Sequence, residues 1–210
     1  MVFYPLVGLL IGGLLWLTRG VLGEAGAMLT SALLLTVWVL VTGGMHLDGL
    51  ADSADAWVGG QGDREHSLRI MKDPCSGPIA VTVIVLLMLL KFSALTELMA
   101  HSNATPLLWT PVMGRSLVLV LMLNTPYVRP NGLGIPLVEK LPRLPVGLSA
   151  LLAFLLTGYM LGPWPLLFAA LTFGWLRFQM VQRLGGCTGD TLGATVEIGE
   201  AVVLVACALN

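Results

Sequence analysis

Charge is scarce in this sequence. Of 210 residues only 11% are charged, against 56% hydrophobic residues and a mean hydropathy of +0.87, a composition that excludes an ordinary soluble domain and marks an integral membrane protein. The charge that is present nearly cancels, 11 basic against 12 acidic side chains, so no global field exists to hold nucleic acid. Cysteine is sparse too: Cys75, Cys187 and Cys207 lie too far apart for a disulfide framework or a metal knuckle. Their odd number fits a reducing compartment, and they are read as small apolar packing residues. No basic stretch precedes the first apolar run and no small-residue cleavage site follows it, so no signal peptide is expected.

Apolar runs are what the chain has in quantity. A membrane helix needs about 20 predominantly apolar residues. Seven stretches approach that: Phe3 to Thr18, Gly26 to Thr42, Pro78 to Ala100, Pro106 to Asn124, Leu144 to Leu161, Pro165 to Leu184 and Ala194 to Leu209. Runs such as Ile79 to Leu90 are apolar on every face, which a barrel strand with its alternating pattern is not. The expected fold is all-α, a polytopic transmembrane bundle of about six to seven spans. Residues 1–210 form one integral-membrane domain, with an active-site segment at 43–77 and a second motif at 185–200.

Alternation of spans puts the segment 43–77, the loop from Asn124 to Leu144 and the loop from Arg183 to Gly193 on one side. That side carries Arg64, Arg69, Lys72, Arg129, Lys140, Arg143 and Arg183, against Arg19 opposite, and the positive-inside rule makes it cytoplasmic. Nine of the 23 charged side chains lie between Asp48 and Asp73, so chemistry is expected at this membrane surface.

Asp48, Asp52 and Asp55 follow i, i+4, i+7 spacing, which puts three carboxylates within about 60° of arc on a helix. Their mutual repulsion is destabilising unless a cation offsets it. Oxygen-only ligands favour a hard ion, and Mg2+ characteristically bridges one or two carboxylates to substrate phosphates. The intervening Gly49, Ala51, Ser53 and Ala54 leave the helix surface open to a bulky ligand or a second helix. His46 serves either as general base or phosphate donor, or as a packing histidine at the interface. After the Gly59, Gly60, Gly62 turn, Arg64, Arg69 and Lys72 can neutralise phosphate oxygens, although Lys72 can instead pair with Asp73. Lys91, Arg115 and Arg177 lie inside apolar runs, where each must meet a carboxylate, a cavity or the interface. Arg115 is the best phosphate or carboxylate partner among them, and Lys91 alternatively snorkels or pairs with Glu97.

Aspartates aligned for a divalent metal beside cations suggest phosphoryl transfer on a nucleotide-activated substrate. CDP-alcohol phosphotransferases use an aspartate-rich helix as well, but neither their motif's arginine nor its spacing occurs here. A divalent-cation transporter is disfavoured because the acidic stripe belongs to a long segment between spans.

His46-Leu47-Asp48-Gly49-Leu50-Ala51-Asp52, followed by Asp55, Gly59-Gly60, Asp63-Arg64, Ile70-Met71-Lys72-Asp73 and Gly77, resembles the signature of the cobalamin synthase family, adenosylcobinamide-GDP ribazoletransferase. The likeness extends over nearly the whole chain. Pro5-Leu6-Val7-Gly8-Leu9-Leu10-Ile11-Gly12 resembles a first span, Lys91 and Arg115 fall at intramembrane basic positions, and Gly132-Leu133-Gly134 resembles a short glycine loop. Gly185 to Ala194, with Glu197 and Glu200, resembles a second motif. Family members usually carry a few tens of residues with a Thr-Arg-hydrophobic-Pro element upstream of the first span, and that element is missing here.

The resemblance implies a multi-pass enzyme of the prokaryotic inner membrane with its site facing the cytoplasm. Alpha-ribazole, or its 5'-phosphate, attacks the phosphate next to the cobinamide of adenosylcobinamide-GDP and GMP leaves, with Mg2+ required. Homo-oligomers or assembly with other late corrinoid enzymes are conceivable on the same grounds.

One feature stands without the family. GGMHLDGLADSAD from Gly43 and GGCTGDTLGATVE from Gly185 align both glycines, Asp48 with Asp190, Leu50 with Leu192, and Asp55 with Glu197 as acids. The expectation is two facing half-sites, Asp48, Asp52 and Asp55 on one helix and Asp190 and Glu197 on the other, clamping a diphosphate through a pair of Mg2+ ions.

Overall fold

The computed structural model describes residues 1–23, 25–129, 138 and 140–210. Gly132-Leu133-Gly134 lies outside the described residues. Those described form α1 (Tyr4–Leu22), α2 (Ala27–Thr42), α3 (Met45–Gly59), α4 (Arg64–Ile70), α5 (Pro78–Ala100), α6 (Thr105–Asn124), α7 (Arg143–Leu161), α8 (Pro163–Leu184) and α9 (Gly189–Ala208). Each of the seven apolar stretches is a helix.

Five of these helices, α1, α5, α6, α7 and α9, are long and apolar enough to cross a membrane, and a sixth span results if α2 and α3 are taken as one bent pair. The count falls short of seven for local reasons. α2 has only 16 residues, and α8 carries Arg177, Gln179, Gln182 and Arg183 in its second half.

The spans sort into inner and outer helices. α6 and α9 bury 78% and 67% of their apolar windows, whereas α1, α5 and α7 bury 22–28% and present mainly Leu and Val outward, as lipid-facing helices do. α1 lies against α6 through Gly8 and Gly12, where a Cβ would strike the backbone of Pro111 and Leu108, so four-residue glycine spacing sets a close crossing.

One end of the bundle differs from a simple up-and-down arrangement. α2 ends at Gly43 in the left-handed conformation (φ 63°), Gly44 repeats it (φ 68°), and the chain turns 87° into α3. α3 then packs on α9 through Gly49 and on the start of α5 through Asp55. α8 ends in the same way at Gly185 (φ 75°), after which Thr188 starts α9 with a capping box, its hydroxyl accepting from the Thr191 amide while Thr191 Oγ1 accepts from the Thr188 amide. Of the glycines aligned by sequence, Gly43 and Gly185 thus end their helices in the same left-handed conformation, whereas Gly44 has positive φ and Gly186 does not.

Candidate active site

α3 has two faces. At about 100° per residue, Asp48, Asp52 and Asp55 share one side while Leu50, Ser53, Ala54 and Trp57 lie opposite, over a cavity of about 190 Å³ shared with α5, α8 and α9. The flank between them meets α9. A Cβ on Gly49 would stand 2.7 Å from the Asp190 carbonyl oxygen, and one on Gly193 would stand 3.2 Å from His46 Cα. Glycine at both positions lets the two motif helices touch along their backbones, which brings Asp190 to the aspartates of α3.

Asp48 is exposed, while Asp52, Asp55 and Asp190 are half-buried. Burial, reinforced by the charges of Asp48 and Asp190, raises the Asp52 carboxyl to about 6, Arg129 opposing and Asp55 adding to the rise. Four carboxylates therefore feel one another with a single guanidinium among them. Arg129 Nη1 reaches both Asp190 oxygens, at 2.7 and 3.1 Å. Asp55 has another partner: its carboxylate accepts from the Gly77 amide at 2.5 Å and the Ala80 amide at 2.9 Å, capping α5 and fastening it to α3.

The sequence expects Glu197 among the metal ligands and His46 either as general base or phosphate donor or as a packing histidine; in the structure both face the bundle interior. Glu197 is buried, its carboxylate 2.6 Å from Lys91 Nζ, and Lys91 also reaches Glu200 at 2.8 Å. Glu200 in turn pairs with Arg115. Lys91 sits 4.9 Å from the centre of the Trp38 ring and does not pair with Glu97. Two cations and two anions are thus compensated inside the bundle, the arrangement that buried charge requires. His46 turns toward this network, its Nε2 3.5 Å from Tyr4 Oη and its Nδ1 buried without a partner.

Among the described residues none of the other expected phosphate ligands pairs with an aspartate of the cluster. Arg64 Nε donates to the Leu184 carbonyl at 2.8 Å, joining α4 to α8, while Arg69 and Lys72 are exposed. Asp73 accepts from the Cys75 amide at 3.0 Å.

Among the described residues no three His, Cys, Asp or Glu side chains are grouped tightly enough to hold a metal ion as they stand. The donor chemistry still fits a hard cation at one place. Among the described residues the Asp48 and Asp52 carboxylates accept no hydrogen bond, and the crowding of Asp52 by Asp48 and Asp190 is what a divalent ion would relieve. Asp55 and Glu197 fit less well, since an amide pair and a lysine already engage them.

Arg129 and Glu200 were not singled out as site residues from sequence. Arg129 counts there only toward the positive loop, and nothing local marks it. Glu200 lies three residues after Glu197, on the same helical face, and that spacing is the signal that could have identified the buried network.

Comparison with known proteins agrees with this arrangement. A family model described as cobalamin-5-phosphate synthase matches residues 1–208. A Pseudomonas fluorescens protein named adenosylcobinamide-GDP ribazoletransferase is 55% identical, the alignment covering 100% of this chain and 87% of the relative. Two Pseudomonas putida proteins of the same name are 54% and 56% identical, covering 100% and 98% of this chain and 87% and 86% of the relatives. No solved structure matches. With the two glycine-jointed motifs packed on each other and a family match over almost its whole length, the chain belongs to the cobalamin-5-phosphate synthase family.

Proposed function

We propose that this chain transfers the cobinamide-phosphate group of adenosylcobinamide-GDP to alpha-ribazole or its 5'-phosphate, releasing GMP and completing the nucleotide loop of cobalamin. The observation that carries this reading is the four-aspartate cluster built jointly by α3 and α9 where Gly49 and Gly193 let the helices meet. Relatives more than half identical bear the name of that reaction.

In the transfer, an alpha-ribazole hydroxyl oxygen forms a bond to the phosphorus next to the cobinamide while the bond from that phosphorus to the GMP oxygen breaks. Asp48 and Asp52 would hold Mg2+, with Asp190 contributing once it leaves Arg129. The ion supplies charge neutralisation on the diphosphate and on the departing GMP. A cluster carboxylate takes the hydroxyl proton. His46 is poorly placed for it, because it faces the buried ions.

The positive-inside bias supports a site on the cytoplasmic side of the inner membrane. Product chromatography after incubating the purified chain with adenosylcobinamide-GDP and alpha-ribazole tests the reading. GMP and a cobalamin are expected; CMP release from a CDP-lipid, with no GMP from the corrinoid donor, contradicts it.

A further inference from the structure

The charged neighbours of the aspartate cluster can be sorted by what holds them. Arg64 donates its Nε to a carbonyl of α8, Arg183 stacks on Trp57 at 5.2 Å and donates to its carbonyl, Lys91 and Arg115 are compensated by Glu197 and Glu200, and Arg69 and Lys72 are exposed. Among the described residues Arg129 alone of the cations pairs with an aspartate of the cluster.

Its aim is fixed by backbone pairing. The Cys187 amide donates to the Pro126 carbonyl at 2.8 Å, the Val128 amide donates to the Cys187 carbonyl at 2.9 Å, and a Cβ on Gly186 would strike Pro126. This short parallel bridge between Tyr127 and Cys187 ties the segment before Arg129 to the turn before Asp190. The pair itself is neither deep nor fully wet, with side-chain exposures of 25% and 15%. Only Nη1 is engaged by Asp190, so the rest of a five-donor planar fork remains for an anion arriving at the cluster.

We propose that Arg129 is the diphosphate-binding residue of this site: Asp190 holds its guanidinium in the free protein, and on substrate binding the guanidinium passes to phosphate oxygens and releases the Asp190 carboxylate. The exchange keeps charge balanced, because the aspartates lose their guanidinium as the substrate's accompanying cation arrives. The inference rests on the reaction proposed above for its substrate, but diphosphate recognition can be measured separately from turnover.

The test is equilibrium binding of inorganic diphosphate, in the presence of Mg2+, to the purified full chain and to R129A, R129K, D190N and the R129A/D190N double variant, with the thermal midpoint of each recorded. R129A weakens binding on the order of ten- to hundredfold, the range for charge-assisted bidentate contacts, and R129K recovers part of it. In the D190N background, where no ion pair remains to be lost, R129A weakens binding again by a similar factor. Wild-type affinity in R129A, no further effect of R129A in the D190N background, or no diphosphate binding by the wild type each overturns the proposal. Arg129-dependent diphosphate binding without GMP release from adenosylcobinamide-GDP would leave it standing and remove the reaction reading instead.

Discussion

Gly49 of the first motif helix rests directly on the Asp190 carbonyl of the second, and a single added carbon would stand 2.7 Å from that oxygen. The obstructing group is helix backbone, so it cannot rotate aside. Gly49→Ala is therefore expected to separate the helices and cut transfer by more than about tenfold, since misplacement of order 1 Å costs that much or more. Gly13→Ala, whose Cβ would meet nothing within 4 Å, should keep full activity and gain slightly in stability. Parallel rates for the two variants would remove the crossing from the account.

The buried ions make a prediction about pairs. Lys91→Met leaves Glu197 and Glu200 with Arg115 as their only cation, and stranding a buried charge costs about 3–5 kcal/mol, enough to depress folded yield severely. Lys91→Met combined with Glu197→Gln restores neutrality and should recover much of that yield. Size-exclusion profiles in mild detergent read the outcome, and a double variant no better than the single one counts against the network.

Asp55 separates capping from ligation. Asp55→Ala removes two hydrogen bonds to the start of α5 and should lower stability by about 1–2 kcal/mol while leaving the Mg2+ concentration dependence of the rate in place. Asp55→Asn keeps one acceptor and should lie between. A shifted Mg2+ dependence in Asp55→Asn with an unchanged thermal midpoint would return Asp55 to the ligand set.

The outline of the bundle was legible because lipid-facing helices must be apolar throughout and their ends carry glycine, proline and charge. The acidic stripe was legible from spacing alone, and the alignment of Gly43 with Gly185 located the two turns. What sequence did not show was orientation about each helix axis. His46 is two residues from Asp48, and about 200° of helical rotation carries it to the opposite side, toward Arg115 and Glu200. Glu197 aligns with Asp55 by register, yet Glu197 is buried against Lys91 while Asp55 caps α5. Arg129 depends on a loop pairing that leaves no periodic trace.

Titration reads the crowding of Asp52 directly. Asp52 has its folded pKa raised to about 6 from 3.8, so its ionised form opposes folding and metal-free stability recovers as pH falls through 6 toward 4. Subtracting the pH profile of Asp52→Asn from that of the wild type isolates the aspartate. The difference in thermal midpoint should move in favour of the wild type between pH 7 and pH 4.5 in chelator, and a flat difference would mean that Asp52 is not crowded by its neighbours.

The central claim is that aspartates from both motifs serve one divalent cation during transfer. The most direct measurement is GMP release from adenosylcobinamide-GDP and alpha-ribazole against Mg2+ concentration for wild type, Asp52→Asn, Asp190→Asn and Glu197→Gln, each checked for folding. The account predicts Mg2+-dependent release in the wild type, its loss in Asp52→Asn, a raised Mg2+ requirement in Asp190→Asn and an unaltered one in whatever Glu197→Gln protein folds. Wild-type rate and Mg2+ dependence in both aspartate variants would contradict it.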